Sequence, residues 1–275
     1  MKYAVLGSDS FSGGHFCRFL REHGDDVIPL GRRYDINRDL DDIGRILHLE
    51  QPHYVVNFIA KGLVAESWRE PAEWVRTNVL AQTQLVEILR FLPIIRYVHV
   101  STPEVYGSGA HSEDSPFRPS TPYAVTKAAM EMMLMAYHHA YRFPVVFTRS
   151  GNVYGPGQKR RIIPLAIEAA KNGAVLKLHG LGESKRSFIH ILDVCSATKL
   201  VAEHGRNGHA YNIATERFTS ILDLVRMIGC KYESVPDRLG KDDSYIISSQ
   251  KIRTDLMWSD TITLEKGLKE LWDEK

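Results

Sequence analysis

Short apolar runs alternate along the chain with longer stretches whose apolar residues return every three or four positions. Lys2 to Leu6 reads as a buried strand, followed by the turn Gly7-Ser-Asp-Ser-Phe-Ser-Gly13-Gly14 and an amphipathic helix to about His23. Val27 to Leu30 is a second strand, and a helix around Leu40–Leu49 leads to a third, Tyr54 to Ile59. Glu66-Ser67-Trp68 reads as a loop near substrate, and a long helix runs from Pro71 to about Phe91. Arg96 to Val100 is a fourth strand, Pro122 to about Tyr141 a second long helix, and Pro144 to Arg149 the next strand. Strands alternating with helices predict an α/β fold with a doubly wound parallel sheet. Beyond Gly157 the alternation loosens: a helix over about Ile162–Lys171, strands near Val175–Leu178 and Ser187–Ile191, a helix from Asp193, then Tyr211-Asn-Ile-Ala214. The expectation is a dinucleotide-binding domain over 1–155 and a smaller substrate-binding lobe over 156–275, with an interleaved boundary.

The helix from Pro122 departs from the amphipathic pattern, because Val125, Ala128, Ala129, Met130, Met132, Met133, Leu134, Met135 and Tyr137 cover much of its circumference. A helix with little polar face is buried on more than one side. One side meets the sheet; for the other we expect a second subunit, making the protein a homodimer, with burial under its own C-terminal lobe as the alternative.

Composition narrows the function classes. The 275 residues are 44% hydrophobic and 25% charged, and the net charge of +2 gives no support to nucleic-acid binding. No apolar run approaches the roughly 20 residues of a membrane span, and the start lacks the apolar core of a secretory signal. Cys17, Cys195 and Cys230 lie far apart, so neither a disulfide framework nor a zinc site is indicated and a cytoplasmic location is expected. The 12 histidines show no ligand spacing; His190, inside Phe188-Ile-His-Ile, reads as a core or pocket residue and no metal is expected.

Candidate chemistry gathers after the fourth strand. Ser101, Thr102 and Glu104 stand at its end, and Tyr123 and Lys127 follow, four apart and so on one helix face. An ammonium beside a phenol stabilises the phenolate and brings it towards the working range of an acid/base. With a Thr102 hydroxyl bonded to the same substrate oxygen, this is equipment for taking a proton from a carbinol while hydride leaves its carbon. The turn between the first strand and helix suits a pyrophosphate, with Gly7, Ser10, Phe11 and Gly13 as candidate cofactor contacts and Ser10 standing where the middle glycine of G-x-x-G-x-x-G would be. A NAD site usually ends its second strand on an acidic residue; here Gly31, Arg32 and Arg33 follow. Two guanidinium groups suit a 2′-phosphate, so the expected cofactor is NADP or NAD, with NADP favoured. Asp35 and Ile36 are placed at the adenine, and Ala60 at the border of the cofactor. Lys159, Arg160, Arg161, Lys185 and Arg186 form basic clusters suited to a diphosphate.

With those pieces placed, the sequence resembles the extended short-chain dehydrogenases/reductases that act on nucleotide sugars. The matching stretches are Gly7…Gly13, Asp35-Ile36, Thr77-Asn78, STPEVYG (101–107), Tyr123/Lys127, RSGNVYGPGQ (149–158) and RSFIHILDV (186–194), with weaker echoes at 211–214 and 263–268. The resemblance implies a Rossmann-type domain with a C-terminal sugar-nucleotide lobe, dimerisation through two long helices, and a nucleotide-diphosphate sugar as substrate. By position it makes Tyr123 the acid/base, Lys127 its partner on the nicotinamide ribose, Thr102 the group on the sugar hydroxyl, Asn152 a sugar-nucleotide contact and Arg186 a diphosphate contact. STPEVYG is similar to the Thr-Asp-Glu-Val-Tyr-Gly of 4,6-dehydratases, in which the glutamate removes the C5 proton and the aspartate protonates the leaving C6 oxygen. Glu104 keeps the base; Pro103 removes the acid. The expected function is therefore a nucleotide-sugar enzyme with transient C4 oxidation, foremost a 4,6-dehydratase. A C4 epimerase or 4-keto reductase is the alternative, and a non-catalytic nucleotide-binding sensor the alternative of another class.

Overall fold

A computed structural model describes residues 1–236 and 245–274. Its first part follows the predicted alternation: β1 (Lys2–Leu6), α1 (Phe11–Glu22), β2 (Asp26–Leu30), α2 (Leu40–Glu50) and β3 (Tyr54–Asn57). A short helix α3 (Val64–Ser67) occupies the segment expected as a loop. Ser67 Oγ donates back to the Val64 carbonyl at 2.6 Å, a bond within one turn that closes the segment on itself. The long helix from Pro71 has three parts: α4 (Pro71–Val75), a π-helical turn (Arg76–Leu80) and α5 (Ala81–Leu89). β4 (Arg96–Ser101) then enters a 3₁₀ turn (Pro103–Tyr106) and β5 (Gly109–His111), before α6 (Pro122–Tyr141) and β6 (Val145–Ser150).

The second part interleaves with the first. It comprises β7 (Asn152–Tyr154), α7 (Ile162–Lys171), β8 (Val175–His179), β9 (Lys185–Arg186), β10 (Phe188–His190), α8 (Ile191–His204) and β11 (Ala210–Ile213). β12 (Thr219–Ser220), α9 (Ile221–Ile228), β13 (Lys231–Val235), β14 (Tyr245–Ile247), α10 (Gln250–Leu256) and α11 (Leu264–Asp273) complete it. α8 starts two residues before the expected Asp193, because His190 accepts the Leu192 N–H as N-cap. Asp193 looks the other way: its carboxylate accepts from Thr261 N–H, Thr261 Oγ1–H and Ile262 N–H at 2.8–3.1 Å, tying the segment before α11 to α8.

The main sheet is parallel, in the order β11-β6-β4-β3-β1-β2. β1 is flanked by β2 on one side and β3 on the other, so the winding reverses between β1 and β3, where this architecture places its ligand crevice. Alternate strand residues build two cores. Tyr3, Val5, Val56, Val98, Val146 and Tyr211 meet α1 and α8 on one face, whereas Ala4, Leu6, Val55, Tyr97, Val145 and Phe147 meet α2, α5 and α6 on the other. Both faces being covered explains why these strands read as continuous apolar runs. A third cluster packs α7 and α9 against α11 through Ile163, Ile167, Leu224, Ile228, Leu268 and Leu271.

Candidate active site

The glycine turn closes tightly on the sheet. Gly7 takes φ +75°, and a Cβ there would lie 3.1 Å from Ile59 N, so the turn leans against the end of β3. A Cβ on Gly13 would lie 2.2 Å from the Gly7 carbonyl oxygen, which makes glycine obligatory at that approach. Ser10 is the N-cap of α1, its Oγ accepting the Gly13 N–H at 3.1 Å. The serine in place of the middle glycine therefore has a job of its own, and Phe11 opens the helix with first-turn N–H groups that have no partner within the helix. These residues fit the pyrophosphate of a dinucleotide: a closely packed turn, a capped 12-residue helix and its positive dipole end.

The chain beyond β3 is pinned from two sides. Asn57 Oδ1 accepts Ile59 N–H at 2.9 Å, Gln82 Nε2 donates to the Ile59 carbonyl at 2.9 Å, and Asn57 Nδ2 donates to Tyr97 OH at 2.7 Å. Asn78, on the π-helical turn and fully buried, both accepts the Lys61 N–H at 2.8 Å and donates to the Lys61 carbonyl at 3.1 Å. Its Nδ2 also donates to Thr126 Oγ1 on α6 at 3.0 Å. Ala60, exposed, thus sits between two fixed backbone points beside the crevice. Asn57 and Gln82 were not singled out from sequence; a polar residue ending an otherwise apolar strand was the available signal.

The 3₁₀ turn and α6 bring the four candidate catalytic residues to the carboxyl end of β4. Thr102, buried, caps the turn, its Oγ1 accepting the Glu104 N–H at 3.3 Å, and Glu104 is half-buried on that turn. Thr121 caps α6, accepting the Ala124 N–H at 3.1 Å, which places Tyr123, half-buried, in the first helical turn. One turn further, Lys127 is fully buried and donates to the Val100 carbonyl at 2.7 Å, two residues before Thr102. Its Nζ also lies 3.2 Å from His99 Nε2. Burial lowers the Lys127 pKa to about 8, against an opposing pull from Glu131. Burial likewise holds His99 well below its usual range, helped by the Lys127 and Arg149 charges, so the imidazole is neutral.

The Lys127 shift carries a stability prediction. Between about pH 8 and the ordinary 10.5 the unfolded chain binds the proton that the folded chain has released, so folding strengthens as pH rises through that window. Against a Lys127→Met variant, the wild type is expected to gain up to roughly 1 kcal/mol per pH unit there. Urea titrations of both proteins across that range check it; a difference independent of pH would mean that Lys127 keeps an ordinary pKa.

Beneath the 3₁₀ turn lies a small core of Val105, Tyr106, Ala128, Ala214 and Ile247. Tyr106 OH donates to Asn212 Oδ1 at 2.9 Å, Asn212 Nδ2 donates to the Ser248 carbonyl at 3.1 Å, and β5 pairs in parallel with β14. Arg149 on β6 donates to Tyr106 OH and makes a two-pronged ion pair with Glu131 of α6, at 2.5 Å between Nη2 and Oε2, both side chains being buried. Its guanidinium lies over the Tyr106 and Phe117 rings. Neither member of this pair was identified as important from sequence.

The remaining candidates lie further out. Arg32 and Arg33 are exposed beyond β2, with Arg33 over the Tyr34 ring. Asp35 is occupied within its own turn, accepting from Asn37 N–H and Asn37 Nδ2 and pairing with Arg38; the Asn37 bond leads in holding its carboxyl below the usual range. Ile36 is buried and packs in the core that holds α2. Asn152 opens β7, which pairs with β10, and Arg186 is buried on β9, where its Nη1 donates to the Lys185 carbonyl. His190 is buried beside the Tyr154 ring, and no group of three potential metal ligands occurs among the described residues. The three cysteines are free and buried, and no described helix is long and apolar enough to cross a membrane.

Comparison with known proteins gives this geometry its family. A dTDP-glucose 4,6-dehydratase of Xanthomonas campestris pv. campestris (strain B100) is 33% identical over 317 aligned positions, covering 97% of this chain and 90% of that protein. A trifunctional UDP-glucose 4,6-dehydratase/UDP-4-keto-6-deoxy-D-glucose 3,5-epimerase/UDP-4-keto-L-rhamnose-reductase of Arabidopsis thaliana is 36% identical over 251 positions; the match takes in 85% of this chain and only 37% of that protein. Among solved structures, the dTDP-glucose 4,6-dehydratase DesIV of Streptomyces venezuelae, with NAD and TYD bound, superposes with TM-score 0.90 at 29% identity, covering 99% of this chain and 96% of that one. The UDP-glucose 4-epimerase of Thermotoga maritima, with UDP-glucose, gives 0.91 at 27% identity, with 99% and 98% covered. Of the two expected cofactors, NAD is the one these findings bear out. Residues 3–214 match the NAD dependent epimerase/dehydratase family, and the chain belongs to it.

Proposed function

We propose that this protein is a nucleotide-sugar 4,6-dehydratase that oxidises C4 transiently, acting on a hexose carried by a nucleoside diphosphate. The observation that carries the reading is the 3₁₀ turn after β4. It presents Thr102 and Glu104 beside the helix that carries Tyr123 and Lys127. NAD held against the glycine turn would supply a hydride acceptor for C4 and, after the elimination, a hydride donor to C6, with Glu104 returning its proton to C5. Tyr123 takes the C4 hydroxyl proton, Thr102 holds that oxygen, and Lys127 favours the phenolate electrostatically. Glu104 then removes the proton at C5, which the new C4 carbonyl acidifies, while the C6–O bond breaks and the oxygen leaves as water. That oxygen needs a proton which Pro103 cannot give, so water in the cleft is its source. The sugar nucleotide lies between the two parts of the chain, with Asn152 at the sugar nucleotide and Arg186 at the diphosphate. Gly7, Ser10, Phe11 and Gly13 hold the pyrophosphate of the dinucleotide, Ala60 borders it, and Arg32, Arg33, Asp35 and Ile36 surround its adenosine end.

Incubation with dTDP-, UDP-, GDP- and CDP-hexoses, read by mass spectrometry, tests the assignment. The expected product is lighter by one water, and Pro103→Asp is expected to raise its rate, since it restores a positioned acid. Pro103 itself favours a second reading, C4 epimerisation, for which no carboxylate pair is needed. A product of unchanged mass with inverted C4 would select it and leave Glu104 without its role.

We also propose a homodimer. Val125, Met132 and Met133 on α6 are 37–65% exposed, and Val75 and Leu80 on the neighbouring helix are about half exposed. An apolar patch of this kind marks an interface. Light scattering on the eluting protein is expected to give twice the chain mass of 31.2 kDa; a single chain mass would remove the proposal.

A further inference from the structure

The end of β2 lacks the carboxylate that a NAD site usually carries there, and the structure shows what occupies its place. A Cβ built on Gly31 would lie 2.2 Å from Oδ2 and 2.4 Å from Cγ of Asp9. The Asp9 carboxylate therefore fills the volume that any side chain at position 31 would claim. It is held there: Oδ2 accepts the Arg32 N–H at 2.7 Å, and the turn carrying Asp9 is closed by the Ser10 N–H bonded to the Gly7 carbonyl at 2.9 Å. Asp9 comes from the glycine turn and Gly31 from the strand end, so the two positions exclude each other. An acid at one requires a residue without a side chain at the other.

We infer that Asp9 is the residue that reads the adenosine ribose, a carboxylate supplied by the glycine turn in place of one at the end of β2. This rests on the NAD-dependent family assignment and not on which sugar is turned over. A carboxylate in that position accepts from a ribose hydroxyl pair and repels a 2′-phosphate. The neighbouring acid does not compete for the role, because Asp35 is committed to Asn37 and Arg38. Arg32 contributes its backbone N–H to fixing Asp9, while its side chain is exposed. The arginines that suggested a 2′-phosphate in the sequence thus flank a negative group.

Calorimetric titration of the full-length protein with NAD⁺ and NADP⁺, without sugar nucleotide, tests the inference separately from the reaction. The wild type is expected to bind NAD⁺ at least tenfold more tightly than NADP⁺. Asp9→Asn keeps an acceptor for the Arg32 N–H and removes the charge; it is expected to shift the ratio of the two dissociation constants towards NADP⁺ by roughly tenfold or more. Asp9→Ala should shift it in the same direction, whereas a loop that merely loosened would weaken both cofactors equally. A wild type that prefers NADP⁺, or a ratio unchanged by Asp9→Asn in a protein with unaltered thermal unfolding, would overturn the assignment and leave Asp9 as a brace of the turn.

Discussion

Tyr123→Phe is expected to lower turnover by roughly 10²–10⁴-fold, the usual contribution of a positioned acid/base. Fold and nucleotide affinity should be nearly unchanged. The phenol oxygen is the only atom lost, and the elements that place it are held by bonds of their own. Thr121 caps the helix and Asn78 ties Thr126 to the chain beyond β3. Thr126 Oγ1 in turn donates to the Tyr123 carbonyl at 2.8 Å, a backbone bond that phenylalanine keeps. Steady-state product formation, together with far-UV circular dichroism, measures both halves of the expectation. Turnover at the wild-type rate would take Tyr123 out of the reaction, and Lys127 with it. A weakened NAD⁺ affinity with a normal rate constant would instead make the phenol a binding group.

The second large effect is one of stability. Glu131→Ala leaves the Arg149 guanidinium buried without its ion-pair partner, and removing one partner of such a pair costs about 3–5 kcal/mol. Burial disfavours the Arg149 cation, yet Glu131 overcompensates and holds its pKa above the usual value, which is why the guanidinium stays charged in the interior. Loss of the carboxylate also frees the side chain that braces Tyr106 in the 3₁₀ turn. Urea denaturation is expected to show a lower midpoint with little change in slope. Replacing both residues together, Glu131→Leu/Arg149→Met, should recover most of the loss, since an apolar pair of similar volume suffers no desolvation. If the double variant were as unstable as the single, packing rather than charge would be the cause.

The sheet and the Tyr123/Lys127 helix were legible because their signals are local. Apolar runs define β1, β3 and β4, and a four-residue spacing defines a shared helix face. The short helix Val64–Ser67 escaped notice because four residues are too few to show a period. The π-helical turn was hidden for another reason: its one extra residue per turn is fixed by Asn78 reaching Lys61 and Thr126, partners 17 and 48 positions away. Glu131 and Arg149 stand 18 apart, and no local pattern pairs them. Asp9 and Gly31 show the same difficulty at the cofactor. The sequence displays a missing acid and two arginines, and only the fold brings the carboxylate of the turn to the vacant side of the strand.

The small core under the 3₁₀ turn bears on the order in which the candidate site is completed during synthesis. All four candidate catalytic residues have been made once Lys127 is in place, and four of the six sheet strands precede it. Yet Asn212, Ala214 and Ile247, against which Tyr106 and β5 rest, are made more than 80 residues later. A nascent chain of that length therefore carries all four candidate residues while the turn that holds Glu104 still lacks its floor. Residues of the second half of the chain thus set the geometry of a turn in the first half.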